Sequence, residues 1–176
     1  MDTFNLASQL AAALQARGLL LATAESCTGG MIAAACTDLA GSSNWFDRGF
    51  ITYSNDAKTQ MLGVSSSMIR RYGAVSEETA AAMASGAVAC IHAAMAGRPY
   101  PAPHTGHVAV AVTGVAGPGG GSDLKPVGTV CFGFSVRGVV TTLTQRFEGD
   151  RAAVRLQTKA FALSQLLHLV EAIKTA

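Results

Sequence analysis

Residues 19–36 run LLLATAESCTGGMIAAAC. The first five of these, residues 19–23, four apolar residues and a threonine, read as a short buried strand. The run gives way to Glu25, Ser26, Cys27, Thr28, Gly29 and Gly30, and helical composition resumes over residues 31–39. Two consecutive glycines between a strand and a helix predict a tight turn feeding directly into a helix N-terminus. Such a junction leaves backbone N–H groups unpaired at the positive end of a helix dipole, which suits an oxyanion or a phosphate.

Upstream, the apolar spacing of Phe4, Leu6, Leu10, Ala13 and Leu14 predicts an amphipathic first helix that Gly18 terminates. Downstream, residues 45–53 are rich in aromatic and β-branched side chains and read as extended. Ser54 or Asn55 can then cap a short helix ending near Gly63. A second short helix is expected from the cluster Ser65, Ser66 and Ser67 to Gly73, and Ser76 can cap an Ala-rich helix reaching about Ala96. Pro99, Pro101 and Pro103 make residues 97–106 a loop. Residues 108–113 are a β-branched strand that empties into the glycine-rich run 114–122. Two further strands, 128–136 and 139–147, are separated only by Arg137 and Gly138, which predicts a hairpin. Asp150 can cap a long terminal helix with Val154, Phe161, Leu166, Leu167, Val170 and Ile173 on its apolar positions. Alternating helices and strands together with a hairpin predict an α/β fold, a three-layer α/β/α arrangement around a mixed sheet.

The chain has 176 residues, enough for one domain, and no repeat of solenoid period. Residues 1–176 are therefore read as a single domain. With 49% hydrophobic and 14% charged residues it can bury a substantial core and is far from a disordered composition. A net charge of +2, scattered rather than striped, argues against nucleic acid as a partner. Cys27, Cys36, Cys90 and Cys131 form no CxxC pair and have no close His partner, so neither a metal centre nor a disulfide framework is indicated. With no basic segment preceding an apolar one at the N-terminus, a reducing, cytoplasmic setting is expected. Residues 79–97 lack formal charge and approach membrane-spanning length, but they are mostly Ala with Ser85, Gly86 and His92 among them. A buried helix, with no membrane partner, is the expectation.

Ser26 is the first candidate for chemistry, with a plain helix-capping role as its competitor. A serine nucleophile needs a base. His92 and His168 fall within apolar helices, His104 and His107 flank the proline-rich loop, and no GxSxG elbow surrounds Ser26. Lysine remains, and it must be uncharged to accept a proton. Lys58 falls in the first turn of a predicted helix, where the dipole disfavours its ammonium; an exposed helix lysine is the alternative. The run 114–121 fails the P-loop pattern because Gly120 and Gly121 follow Gly119. It fails the dinucleotide fingerprint because Ser122 stands where a glycine is required. What survives is a turn that can cradle a phosphate or carbonyl oxygen, or merely turn the chain.

Several runs together resemble the CinA C-terminal domain family. They are Ala24-Glu25-Ser26-Cys27-Thr28-Gly29-Gly30, Gly41-Ser42-Ser43, Arg48-Gly49, Tyr53-Ser54-Asn55 with Lys58, Gly73-Ala74-Val75-Ser76, and Thr113-Gly114-Val115-Ala116-Gly117-Pro118-Gly119-Gly120. The resemblance covers the chain from about Asn5 to Ile173, in the family's order. It implies a nicotinamide-nucleotide amidase without metal or cofactor that deamidates nicotinamide mononucleotide in pyridine nucleotide salvage. It also implies a Ser26 and Lys58 pair assisted by Tyr53, and a homodimer. Longer members carry a further N-terminal domain that this chain lacks, so only the amidase activity is expected.

The residue reading and the resemblance meet in one scheme. Neutral Lys58 takes the proton of Ser26, whose oxygen attacks the carboxamide carbon; ammonia leaves and water hydrolyses the acyl-enzyme. N–H groups around Cys27, Thr28, Gly29 and Gly30, or from the glycine turn, would hold the oxyanion. The substrate phosphate is assigned to the turn containing Thr113, Gly114, Gly117, Gly119 and Gly120, with Arg48 or Arg146 as charge partner. Cys27 is a rival nucleophile, because a thiol at a helix N-terminus can have a lowered pKa. An amidase for a related small carboxamide and a non-catalytic nucleotide-binding or interaction module are the alternative functions.

Overall fold

The computed structural model describes residues 2–95 and 104–173. Six α-helices and five strands follow one another as α1 (Thr3–Gln15), β1 (Leu19–Glu25), α2 (Met31–Thr37), β2 (Phe46–Ile51), α3 (Asn55–Leu62), α4 (Ser66–Tyr72), α5 (Glu77–Ala94), β3 (Gly106–Gly114), β4 (Thr129–Val136), β5 (Val139–Arg146) and α6 (Arg151–Glu171). The ends of the helices lie where the local chemistry puts them. Side chains of Asp2, Ser54, Ser65, Ser76 and Asp150 each accept a hydrogen bond from a backbone N–H in the first turn of the helix that follows. Arg137 and Gly138 both take positive φ, the geometry of a two-residue hairpin turn between β4 and β5. Most of the proline-rich loop expected over residues 97–106 lies outside the described residues; Gly106 itself opens β3.

The strands form one sheet in the order β2-β1-β3-β4-β5. β1 pairs in parallel with β2 and β3, and β3-β4 and β4-β5 are antiparallel, so the sheet is mixed, as the hairpin required. Side chains alternate between two buried faces. Leu19, Leu21, Val108, Val110, Val112, Val130, Phe132 and Phe134 pack under α1, α2 and α6. Ala22, Ala24, Ala109 and Ala111 face Leu62, Ile69, Met83, Ala84, Ala87 and Ile91 of α3, α4 and α5. The three-layer α/β/α reading thus holds, with large side chains on one face and small ones on the other.

The small face explains the Ala-rich helix. A Cβ at Gly133 of β4 would overlap the Ala80 carbonyl oxygen, and one at Gly86 of α5 would overlap the Leu62 carbonyl. α5 therefore lies unusually close to the sheet and to the end of α3, a closeness that only small residues permit. One side of α5 is buried, and no described helix is long and apolar enough to cross a membrane.

β2 and β3 lie on opposite sides of β1, so the connections leaving the carboxyl ends of β1 and β3 diverge. In open α/β sheets the crevice at such a switch point is where ligands bind. Glu25 pairs with Val112, and the Ser26 N–H donates to the Val112 carbonyl at 3.0 Å. The turn that carries Ser26 thus stands beside the start of the glycine-rich run.

Candidate active site

The turn after β1 is organised by a residue that motif reasoning passed over. Glu25 ends the strand with only 1% of its surface exposed. Its Oε2 accepts from the Thr28 hydroxyl at 2.7 Å and from the Gly30 and Ile32 N–H groups at 3.0 and 3.1 Å, and its Oε1 accepts from the Ala33 N–H at 2.8 Å. A carboxylate at the positive end of α2 takes up the donors that a helix leaves unpaired at its start. The capping role considered for Ser26 therefore belongs to Glu25, and Gly30, at φ 100°, carries no side-chain cap.

The same bonds restrict where an oxyanion can be held. Gly30 N–H is committed to Glu25, Gly29 N–H to the Ser26 carbonyl and Met31 N–H to the Thr28 carbonyl. The Cys27 and Thr28 N–H groups have no backbone or carboxylate acceptor in this turn, and both act on the Cys27 thiol, lowering its pKa against the effect of burial. Gly29 and Gly30, both at positive φ, shape the turn.

Ser26 is buried, and its freed hydroxyl faces Lys58. The lysine is not the exposed helix residue of the alternative reading: it is 1% exposed, on α3 just inside the Ser54 cap. Its Nζ lies 3.1 Å from Ser26 Oγ and 2.9 Å from the Thr52 carbonyl oxygen. Among the described residues no salt bridge involves it. Burial holds its pKa below the ordinary lysine value, opposed only in part by the Cys27 thiol. These two contacts are compatible with a neutral amine, which can donate an N–H to the Thr52 carbonyl and still offer a lone pair toward the Ser26 hydroxyl. Burial has the contrary effect on Cys27, pushing its thiol up to about 11, so at neutral pH the rival nucleophile is a protonated thiol.

Ser26, Cys27 and Lys58 line a cavity of about 220 Å³ together with Tyr53, Asn55, Ala74, Val75, Thr113, Gly114, Ala116 and Arg151. The Thr113 hydroxyl donates to the Ala74 carbonyl at 2.8 Å and ties the end of β3 to the loop before α5. Gly117 lines an adjoining, larger cavity of about 640 Å³, whereas Gly119 and Gly120 line neither. Arg48 is paired with Asp47 at 2.6 Å on β2, and Arg146 sits on the outer strand β5; neither borders these cavities. Two arginines of α6 stand there instead. Arg151 donates to the Gly117 carbonyl at 2.9 Å and to the Tyr53 hydroxyl at 2.8 Å. Arg155 donates to the carbonyls of Cys27 and Thr28 at 3.1 and 2.9 Å. Their signal in the sequence was a helix start with no acid in its first turn, Arg151 at its first position and Arg155 one turn further on. Among the described residues, no group of three or more His, Cys, Asp or Glu side chains could hold a metal ion.

The CinA C-terminal domain model matches residues 3–170. The nicotinamide-nucleotide amidohydrolase PncC of Enterobacter agglomerans is 54% identical over 164 residues, covering 93% of this chain and 92% of that protein. Its namesake from Escherichia coli K12 is 48% identical over 166 residues, 94% of this chain and 93% of that protein. A crystal structure of a CinA superfamily protein from Klebsiella pneumoniae superposes with a TM-score of 0.87 at 36% identity, over 98% of this chain and 100% of the other. Sequence and fold agree over nearly the whole length, and the chain belongs to the CinA C-terminal domain family.

Proposed function

We propose that this chain is an amidase that hydrolyses the carboxamide of nicotinamide mononucleotide, giving nicotinate mononucleotide and ammonia, a step of pyridine nucleotide salvage. The names of its relatives point to that substrate, and one geometric fact supports the chemistry: a buried lysine with no carboxylate partner among the described residues, 3.1 Å from a serine hydroxyl at a strand-to-helix turn.

The Ser26 hydroxyl proton moves to Lys58 Nζ as Oγ bonds to the carboxamide carbon, and the carbonyl oxygen becomes an oxyanion. The N–H groups of Cys27 and Thr28 receive it; one such donor contributes roughly 3–4 kcal/mol of transition-state stabilisation. The Lys58 ammonium returns the proton to the amide nitrogen as the C–N bond breaks, and ammonia departs. Lys58 then deprotonates a water that attacks the acyl ester, and the proton goes back to Ser26 as the acid leaves. Before reaction the pyridinium ring of the substrate is cationic, so an uncharged Lys58 also spares the site a like-charge repulsion. Tyr53, at the cavity wall, orients the ring or the leaving group.

Ammonia release from nicotinamide mononucleotide by Ser26→Ala and Lys58→Ala tests the scheme. Each is expected to fall by several orders of magnitude; near wild-type turnover in either would remove that residue from the mechanism.

A further inference from the structure

We propose that Arg155 is a positioning residue for the amidase reaction: its guanidinium holds and polarises the Cys27–Thr28 peptide from the carbonyl side, which aims the Thr28 N–H at the oxyanion and makes it a stronger donor. The inference rests on the amidase reading above and adds to it a residue that acts through the backbone.

Three successive peptide units make the Ser26 turn, and the carbonyl of each is bonded. The Ser26 carbonyl accepts from the Gly29 N–H at 3.1 Å. The Cys27 carbonyl accepts from Arg155 Nε at 3.1 Å, and the Thr28 carbonyl from Arg155 Nη2 at 2.9 Å and the Met31 N–H at 3.4 Å. Among the described residues, Arg155 is the one hydrogen-bond donor to the Cys27 carbonyl. The Cys27–Thr28 peptide is trans, so its C=O and N–H point in opposite directions. A guanidinium fixed on the Cys27 oxygen therefore turns the Thr28 N–H away from α6. At rest that N–H acts on the Cys27 thiol, a weak acceptor that an oxyanion outcompetes.

Hydrogen bonds in series strengthen one another, by roughly 10–30% per bond in a low-dielectric interior. A cation at the carbonyl end draws electron density along the amide, and the N–H at the other end donates more strongly. The charge of Arg155 is available for this. No described carboxylate pairs with it, and its partners are neutral peptide oxygens. Glu25, the acid of the turn, is engaged with the Thr28 hydroxyl and the N–H groups of Gly30, Ile32 and Ala33.

The side chain is also held from a rigid base. Val154 beside it and Thr158 one turn on are fully buried, and the Thr158 hydroxyl donates to the Val154 carbonyl at 2.7 Å. Holding a loop against a helix needs no charge, and a half-buried cation without a carboxylate gives up hydration that an apolar or amide side chain would not. The planar fork adds what a point charge lacks, since Nε and Nη2 reach the carbonyls of two consecutive residues at a fixed spacing.

Ammonia release from nicotinamide mononucleotide is measured against substrate concentration for wild type, Arg155→Met and Arg155→Lys, with thermal melting as the check on folding and NMR of the Thr28 amide proton as the report on polarisation. A charge-assisted bond used in the transition state predicts that Arg155→Met lowers kcat roughly ten- to hundredfold while KM stays within about threefold. Arg155→Lys, which keeps the charge and loses the fork, should recover part of kcat. The Thr28 amide proton should move upfield, further in Arg155→Met than in Arg155→Lys. A clamp with no electrostatic part would instead leave the two variants alike. Equal losses in both, a loss carried by KM, or a folded Arg155→Met with kcat within about threefold of wild type would overturn the role. Should Arg155→Met fail to fold, Arg155→Lys decides: a lowered kcat at unchanged KM upholds the role, and a wild-type kcat overturns it. Wild-type protein that releases no ammonia refutes the amidase reading itself, a result that no comparison among the variants can mimic.

Discussion

Glu25→Gln is nearly isosteric, yet it strikes the residue from which the Ser26 turn hangs. The native carboxylate accepts from Thr28, Gly30 and Ile32 through one oxygen and from Ala33 through the other. With its carbonyl in the place of Oε2, glutamine keeps the first three partners as neutral bonds, and its amide nitrogen is left facing the Ala33 N–H. Bonds to a charged acceptor contribute about 1.5–3 kcal/mol and neutral ones about 0.5–1.5, while a buried donor without an acceptor costs about 1–3. Three bonds weakened by about 1 kcal/mol each and one opposed pair of donors at about 2 sum to about 5 kcal/mol before relaxation. Adjustment of the short helix α2 lowers the expected loss to about 3 kcal/mol, a large share of the 5–15 kcal/mol typical of a domain. Guanidinium unfolding followed by circular dichroism measures it. Turnover should fall as well, since the Cys27 and Thr28 N–H groups are placed by the same turn. A loss below about 1 kcal/mol would refute the claim that Glu25 holds this turn together.

Lys58→Met should lower turnover by at least the 10²–10⁴ usual for a general base, read by ammonia release. Wild-type kcat/KM should rise with pH through a Lys58 pKa that lies below its ordinary 10.5, as a pH-rate profile would show. Stability should follow the same sign: between the lowered folded pKa and 10.5 the unfolded chain binds more protons, so stability climbs with pH across that window, and Lys58→Met should flatten the climb in unfolding series. Gly133→Ala forces a Cβ against the Ala80 carbonyl and should destabilise by about 1–3 kcal/mol through displacement of α5, seen as a lowered unfolding midpoint. Asp150→Ala removes the cap on Ala153 and should cost about 1 kcal/mol in the same measurement.

What could be read from the sequence was what is encoded within a few residues. The turn after β1, the capping serines and Asp150, the Arg137-Gly138 hairpin and the apolar stripe of α6 are local patterns, and all are found where they were expected. Ser26 and Lys58 stand 32 positions apart, and their meeting was inferred from the need of a serine for a base and from family resemblance. The arginines were harder. Tyr53 and Arg151 are 98 positions apart, and nothing local says which helix start abuts the carboxyl end of β1. Arg48 shares a motif run with glycine and so drew notice, whereas its partner is the adjacent Asp47. Glu25 was quoted within a motif without a role, because only the fold shows that its carboxylate turns back onto α2.

The grip of Arg155 on the carbonyls of Cys27 and Thr28 bears on when a newly made molecule becomes competent. Ser26 and Lys58 both lie in the first third of the chain, but the clamp on the Ser26 turn, and the arginine beside Tyr53, come from the last helix. A nascent chain that has folded its parallel strands therefore still lacks a finished pocket, and catalysis waits for the carboxyl-terminal segment to leave the ribosome and dock. Ammonia release is in this sense a reporter of chain completion, and a carboxyl-terminal truncation should be silent even where the rest of the sheet has formed.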